Sequence, residues 1–356
     1  AISANELNNS QDGVLSSKGK LTLSNAVVDN RDGVIVADQH LSLAGTSLDN
    51  RGGLVSGKAD VSVDVNALLD NSGQGTLLSD GKLTVNAAEL RNGDRGQVAA
   101  KGDLAITVDS LSQQGAAGSQ AGELLSQGKL TLEAQRIDNR QGGLIAATKG
   151  LEIHASELLR NGGGEISTQG TANIRVLAAA GQPTALLDNS DAGLIIGDQG
   201  LTLTVQRLLN HSLGVLSGRT GLVVRGDSLD NSQGGILTSQ QMLNVQLSGA
   251  LDNHDQGALL SEGALQLQAG ALNNIAREQR FLGQLDAANQ SINEAIRITE
   301  DCIEQVRSQA FALRPPQLPL IGPRPASTPT AIPRAISRKK PSVNNSVVMA
   351  LAPHPH

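Results

Sequence analysis

The sequence predicts an all-β fold, a right-handed parallel β-helix of about 12–13 coils, and three observations carry that expectation. A hydrophobic residue followed by a polar pair, usually Asp-Asn, recurs thirteen times at a spacing near 21 residues. A fixed period of this size marks a solenoid, in which one repeat cannot bury its apolar face alone and must stack on its neighbours. Between the pairs, apolar residues alternate with polar ones over four to six positions, the period of a half-buried strand. The chain also has no Trp, no Tyr and only two Phe, Phe281 and Phe311, both outside the repeats. The core is therefore expected to be aliphatic throughout.

The unit from Leu48 to Val65 shows how one repeat is built. It opens on Asp49-Asn50, turns through Gly52-Gly53, and runs a short apolar strand. It then turns again near Gly57 and alternates Val61, Val63 and Val65. The same order recurs in Gly33-Val34-Ile35 with Leu41 and Leu43, and in Gly143-Leu144-Ile145 with Leu151 and Ile153. The Gly-Gly pairs are expected to supply the positive φ of tight corners. Successive coils pair at about 4.8 Å, so twelve steps give a stack on the order of 60 Å.

The aligned asparagines are Asn9, Asn30, Asn50, Asn71, Asn92, Asn139, Asn161, Asn189, Asn231, Asn253 and Asn274, with Gln113 and His211 filling the two slots where Asn is replaced. Amides stacked at one corner can bond from coil to coil, so these residues are expected to form a structural ladder. Two intervals are longer, 113–139 and 161–189, and read as loops inserted at corners; the second holds Pro183, the one proline within the array. A leucine-rich repeat is the rival solenoid, but it places Asn three residues after its strand. Here Leu43 and Asn50 are seven apart, with glycines and β-formers between them.

The pattern stops at Asn274, which gives a repeat domain over 1–274. Residues 275–313 are poor in Gly. They set Leu285, Ala288, Ile292, Ile296, Ile303, Val306 and Ala310 mostly at three- and four-residue steps, with Ser291 and Glu294 at capping-box spacing. This predicts one or two amphipathic helices, with a capping or partner-binding role. Residues 314–356 hold ten of the 11 prolines, six Lys/Arg and no Asp/Glu, and are expected to form a disordered, basic, proline-rich tail.

Composition and motifs narrow the function. Net charge is −6, and the acidic excess lies in the repeats, a poor surface for the phosphates of nucleic acid. No run of about 18 apolar residues exists to span a membrane as a helix. Gly75 to Gly81-Lys82 and Gly122 to Gly128-Lys129 mimic phosphate loops, but each has one residue too many between its glycines and Leu after Lys. The histidines His40, His154, His211 and His254 share no slot, and the lone cysteine, Cys302, permits no disulfide framework. Neither a catalytic pair, a metal site nor a cofactor is expected. One tripeptide, Arg225-Gly226-Asp227, carries the integrin-recognition pattern of a cation and a carboxylate at a corner. Its bland reading is an ordinary corner.

The repeat Leu-Asp-Asn-Arg-Gly-Gly-Leu-x-Ser-x-Gly-x-Leu-x-Leu, as it stands at 48–63 and 137–153, closely resembles the haemagglutinin repeats of filamentous haemagglutinin-like exoproteins. The resemblance implies a secreted or surface-exposed protein of a Gram-negative bacterium, exported through an outer-membrane two-partner secretion transporter. It implies a non-enzymatic adhesin shaft that meets a host-cell or bacterial surface receptor. The alternative is the stalk of a contact-dependent growth-inhibition toxin. Two departures stand out: the amino-terminal secretion domain with its Asn-Pro motifs is not seen, and no recognisable toxin follows. No signal peptide is recognised either, and the chain is expected to be a piece of a longer protein.

Overall fold

Alternation decides which side chains point inward. In the strand Leu104–Ser112, Leu104, Ile106 and Val108 are buried at steps of two, and the next buried residue, Leu111, follows at a step of three. That phase slip is a corner, because a straight strand keeps a period of two. The same strand in other coils is split outright, as in Val61–Val65 and Leu68–Asp70. A third, four-residue strand completes each coil, for example Leu54–Gly57. Each coil therefore has three flat faces.

The structure, a computed structural model, describes residues 1–115 and 118–273, and these form a parallel β-solenoid of about 13 turns. The short strands stack into a 12-stranded parallel sheet, and the long or split strands into a 19-stranded one. Among the described residues no helix occurs. Asn274, the segment 275–313 and the tail 314–356 lie outside the described residues.

Parallel pairing brings like residues together. Leu41, Val61, Leu83, Leu104, Leu130 and Leu151 occupy one register column on the long-strand side. Ile35, Val55, Leu77, Val98, Leu124 and Ile145 form the facing column on the short-strand side. All twelve are at most 1% exposed and belong to one continuous core. Leu, Ile and Val suffice because each coil has only a narrow triangular interior to fill. A larger aromatic ring would have to be accommodated by its close-packed neighbours.

The two long intervals are corner loops. Residues 177–185 leave the long-strand side after Val176, and their neck is closed from the next coil: Gln206 Oε1 accepts from the amides of Ala178 and Ala185 at 3.1 and 2.7 Å. The other loop follows Gln113, and its ends meet where the Gly122 amide donates to the Gln113 carbonyl at 2.8 Å. Neither insertion disturbs the register of the coils on either side.

Candidate functional site

The polar corner is where this sequence concentrates its side-chain chemistry, and its two adjacent residues face opposite ways. Asn30 is fully buried while Asp29 and Arg31 lie on the outside. Each buried amide donates to the amide oxygen of the next coil. The chain of bonds runs Asn9, Asn30, Asn50, Asn71, Asn92, Gln113, Asn139, Asn161, Asn189, Asn210, Asn231, Asn253, at 2.7–3.0 Å throughout. The same Nδ2 groups also reach backbone carbonyls: Asn50 donates to Gly53 and Thr76, and Asn161 to Gly164 and Leu194. Burial of an amide is tolerated because its polar atoms find partners there.

Two expectations need correction. His211 does not occupy the ladder: Asn210 does, bonded to Asn189 and Asn231, while His211 Nδ1 meets the Ser212 hydroxyl on the outer side at 2.8 Å. The residue before Asn210 is Leu209 rather than Asp, which shifts an alignment anchored on Asp-Asn by one position. Nor is positive φ the main reason for glycine at these corners. Gly52 does adopt it at φ 65°, but Asp32, Arg95 and Leu213 hold the same region at 54°, 66° and 69°. The glycine that follows is needed for room instead. A Cβ on Gly53 would stand 2.1 Å from the Asn30 carbonyl oxygen and 2.7 Å from Asn50 Oδ1, and one on Gly164 would stand 1.9 Å from the Asn139 carbonyl oxygen. The ladder and the glycine are thus a single device.

Outside the corner, Asp caps the turn by accepting from the amide two residues on, as Asp29 does from Arg31 at 3.1 Å and Asp70 from Ser72 at 3.1 Å. Charges then climb between coils. Arg31 binds Asp29 at 2.7 Å and approaches Asp49 at 3.7 Å, and Arg51 binds Asp49 at 2.6 Å and approaches Asp70 at 3.8 Å. The Arg31 guanidinium, hydrogen-bonded to Asp29, holds that carboxyl below the usual range. Burial pushes the Asp138 carboxyl up, but the hydrogen bonds from Arg140 outweigh it and leave the group lowered. At the far end the hydrogen bond that His254 Nδ1 gives to the Asp252 carboxylate raises the imidazole pKa. After the short strands a second column alternates in sign, Asp38 with Lys58 at 2.6 Å and Asp80 with Lys101 at 3.0 Å. That column was legible in the sequence from the 20–22-residue spacing of opposite charges.

Arg225 and Gly226 lie in the strand Leu222–Gly226, and Asp227 occupies the bend before Ser228–Asp230. The segment is held flat: Arg225 is registered between Thr204 and Gln246, and the Asp227 amide donates to the Gln206 carbonyl at 3.0 Å. Both side chains are exposed, and the Asp227 carboxylate accepts from the Ser248 hydroxyl at 3.0 Å. The tripeptide is therefore a surface kink between stacked coils, without the projection of a free loop.

A groove of about 980 Å³ lies where the short-strand face meets the loop after Gln113. Thr76, Arg95, Gln97, Gln120, Glu123 and Gln141 line it together with the apolar Leu54, Leu78 and Ala121. It offers amides, one cation and one carboxylate; Gln97 Nε2 donates to Glu123 at 3.2 Å. Such a lining offers hydrogen bonds beside apolar contacts. Among the described residues, no three His, Cys, Asp or Glu cluster to hold a metal ion. No described helix is long and apolar enough to cross a membrane.

Comparison with known proteins agrees with this architecture. The haemagglutinin repeat family model matches residues 1–73, 55–134, 119–182, 170–255 and 228–290. Neither the curated proteins nor the solved structures yield a match. Haemagglutinin repeat solenoids are a structural, adhesin-type family. Five overlapping matches across the same coils that carry the amide ladder establish that this chain belongs to the haemagglutinin repeat family and is a filamentous haemagglutinin-like protein.

Proposed function

We propose that the chain is a non-enzymatic adhesin shaft, secreted or displayed on the surface of a Gram-negative bacterium after export by an outer-membrane two-partner secretion transporter. The observation that carries this reading is the unbroken amide ladder, eleven successive bonds from Asn9 to Asn253. A stack tied at every coil is a stiff spacer, and its reach grows with each repeat. The lack of Cys in the repeats suits a chain that crosses the periplasm before folding, since no disulfide can lock it there. The receptor-facing candidates are the Arg225–Asp227 kink and the outer columns, because these side chains are free to contact another surface without disturbing the core.

The test is binding of the purified chain to epithelial cells and to sibling bacteria, alongside an Asp227→Glu variant. Binding to epithelial cells is expected, with a loss in the variant if the kink is the contact. Binding that survives the substitution moves the contact to another part of the shaft. Binding to sibling bacteria alone favours the toxin-stalk reading. Absence of binding to either cell type overturns an adhesive role for these coils.

A further inference from the structure

Charged side chains on the outside of this solenoid usually find partners on their own coil or on the next, as Arg31, Arg140 and Lys58 do. One column on the long-strand face departs from that rule. Glu133, His154 and Arg175 stand in register on three successive coils. Among the described residues, neither the Glu133 carboxylate nor the Arg175 guanidinium has a hydrogen-bond or ion-pair partner. Their charges are opposite, but two coil steps, about 9.6 Å, separate their backbones. Both side chains are exposed. His154 stands between them with Nε2 3.6 Å from Glu152 Oε1, and Glu152 is already engaged by Lys129.

The backbone is irregular beside this column. The strands Lys129–Asp138 and Gly150–Arg160 fall out of step between Ala134 and Arg136, where the second strand carries one residue more. Bulges of this kind re-aim side chains and are over-represented next to functional sites. One coil further on, the corner loop begins at Leu177, whose amide donates to the Ala155 carbonyl at 3.1 Å. A recess of about 290 Å³ results, lined by the three residues of the column together with Ala134, Ala155, Ser156 and Leu177.

We propose that this recess binds one carboxylated sugar unit displayed on a glycan, an inference that rests on the adhesin reading and supplies its ligand class. The Arg175 guanidinium offers paired N–H donors that match a carboxylate. Glu133 accepts from sugar hydroxyls, and the alanine methyl groups meet the C–H face of the ring. The volume suits a single sugar ring. Glu133 repels a ligand with an anion on every unit, which disfavours a polysulfated chain and favours one carboxylate among hydroxyls. The repeats hold no aromatic ring on which a neutral sugar could stack, so the carboxylate supplies the hold.

Saturation-transfer NMR on the purified full chain tests this. The acidic probes are N-acetylneuraminic acid and glucuronic acid; galactose is the neutral sugar, and N-acetylaspartate is a carboxylate without a sugar ring. At least one acidic sugar is expected to bind about tenfold more tightly than galactose or N-acetylaspartate. Arg175→Gln is expected to weaken that binding about tenfold at an unchanged urea midpoint. Lys149→Gln, an equal loss of charge on the coil of His154, is expected to leave it intact. Failure of both acidic sugars to bind, equal binding of galactose or N-acetylaspartate, or undiminished binding by Arg175→Gln overturns the proposal. Attachment to cells without acidic-sugar binding overturns the recess as a site and leaves the adhesin reading standing. Acidic-sugar binding without attachment to cells upholds the recess and counts against the adhesin reading alone.

Discussion

Asp29 and Asn30 are neighbours in sequence and stand on opposite sides of the same wall, and the two columns they belong to behave differently. The inner column keeps an amide in all twelve described slots, with Gln113 as its one variation. The outer column begins at Asn8, runs through Asp29, Asp49 and Asp70, and later holds Arg91, Ser112, Arg160 and Leu209 without any break in the fold. Inside, each amide must donate to one neighbour and accept from the other, so a missing member leaves two buried partners short. Outside, water replaces whatever a neighbour fails to supply. The lesson is that repetition is enforced where solvent is excluded, and variation, including any receptor contact, is free on the other side of a single peptide bond.

The sharpest way to break that contrast is Gly164→Ala. Its new methyl meets the Asn139 carbonyl at 1.9 Å, with the Asn161 amide oxygen 2.9 Å away. The backbone must move, at a cost of roughly 3 kcal/mol or more, read as a lowered urea midpoint. Next is Asn161→Ala, which removes one rung and is expected to cost about 2–3 kcal/mol. Asn161→Gln is expected to recover part of that loss, since Gln113 already fills a rung; equal losses for Ala and Gln count against the ladder as the source. Leu213 works in the opposite direction. It is 64% exposed and held at φ 69°, so Leu213→Gly is expected to raise stability by about 1 kcal/mol.

The smallest effect is expected on the outside. Asp138→Asn removes the ion pair with Arg140 and is expected to cost under about 1 kcal/mol. Asp29 and Asp138 have lowered folded-state pKa values. Their contribution is therefore present above the unfolded value near 4 and is lost as pH falls through the lowered one. His254 is raised, so its contribution is present below about 6.5 and fades as pH climbs past the folded value. A urea midpoint that falls gently below about pH 4 in the native chain, and less so in Asp138→Asn, checks the sign. A steep collapse near neutrality contradicts it.

Most of the solenoid was legible because its period comes from the hydrogen-bonded stacking of whole coils, which leaves every inward slot with the same neighbours. Leu-x-Leu alternation reports the faces directly. The slip at His211 shows where legibility ends. Asp is dispensable outside, so an alignment that leans on the Asp of Asp-Asn fails when Leu209 replaces it, although Asn210 is present one place earlier. The reason for the corner glycines was equally hidden. A sequence shows Gly53 beside Gly52 but not that Asn30, one coil away, leaves no space for a methyl group.

The ladder also has a direction. Every rung gives its N–H₂ to the coil that follows and its oxygen to the coil before, from Asn9 to Asn253. A finished coil therefore offers its successor an amide donor of fixed position and aim, much as a crystal face presents the same sites to each arriving layer. Length becomes a matter of counting layers. Excising residues 50–70 would set Asn71 in the place of Asn50, against the same donor on Asn30, and the lattice would close over the cut one period shorter.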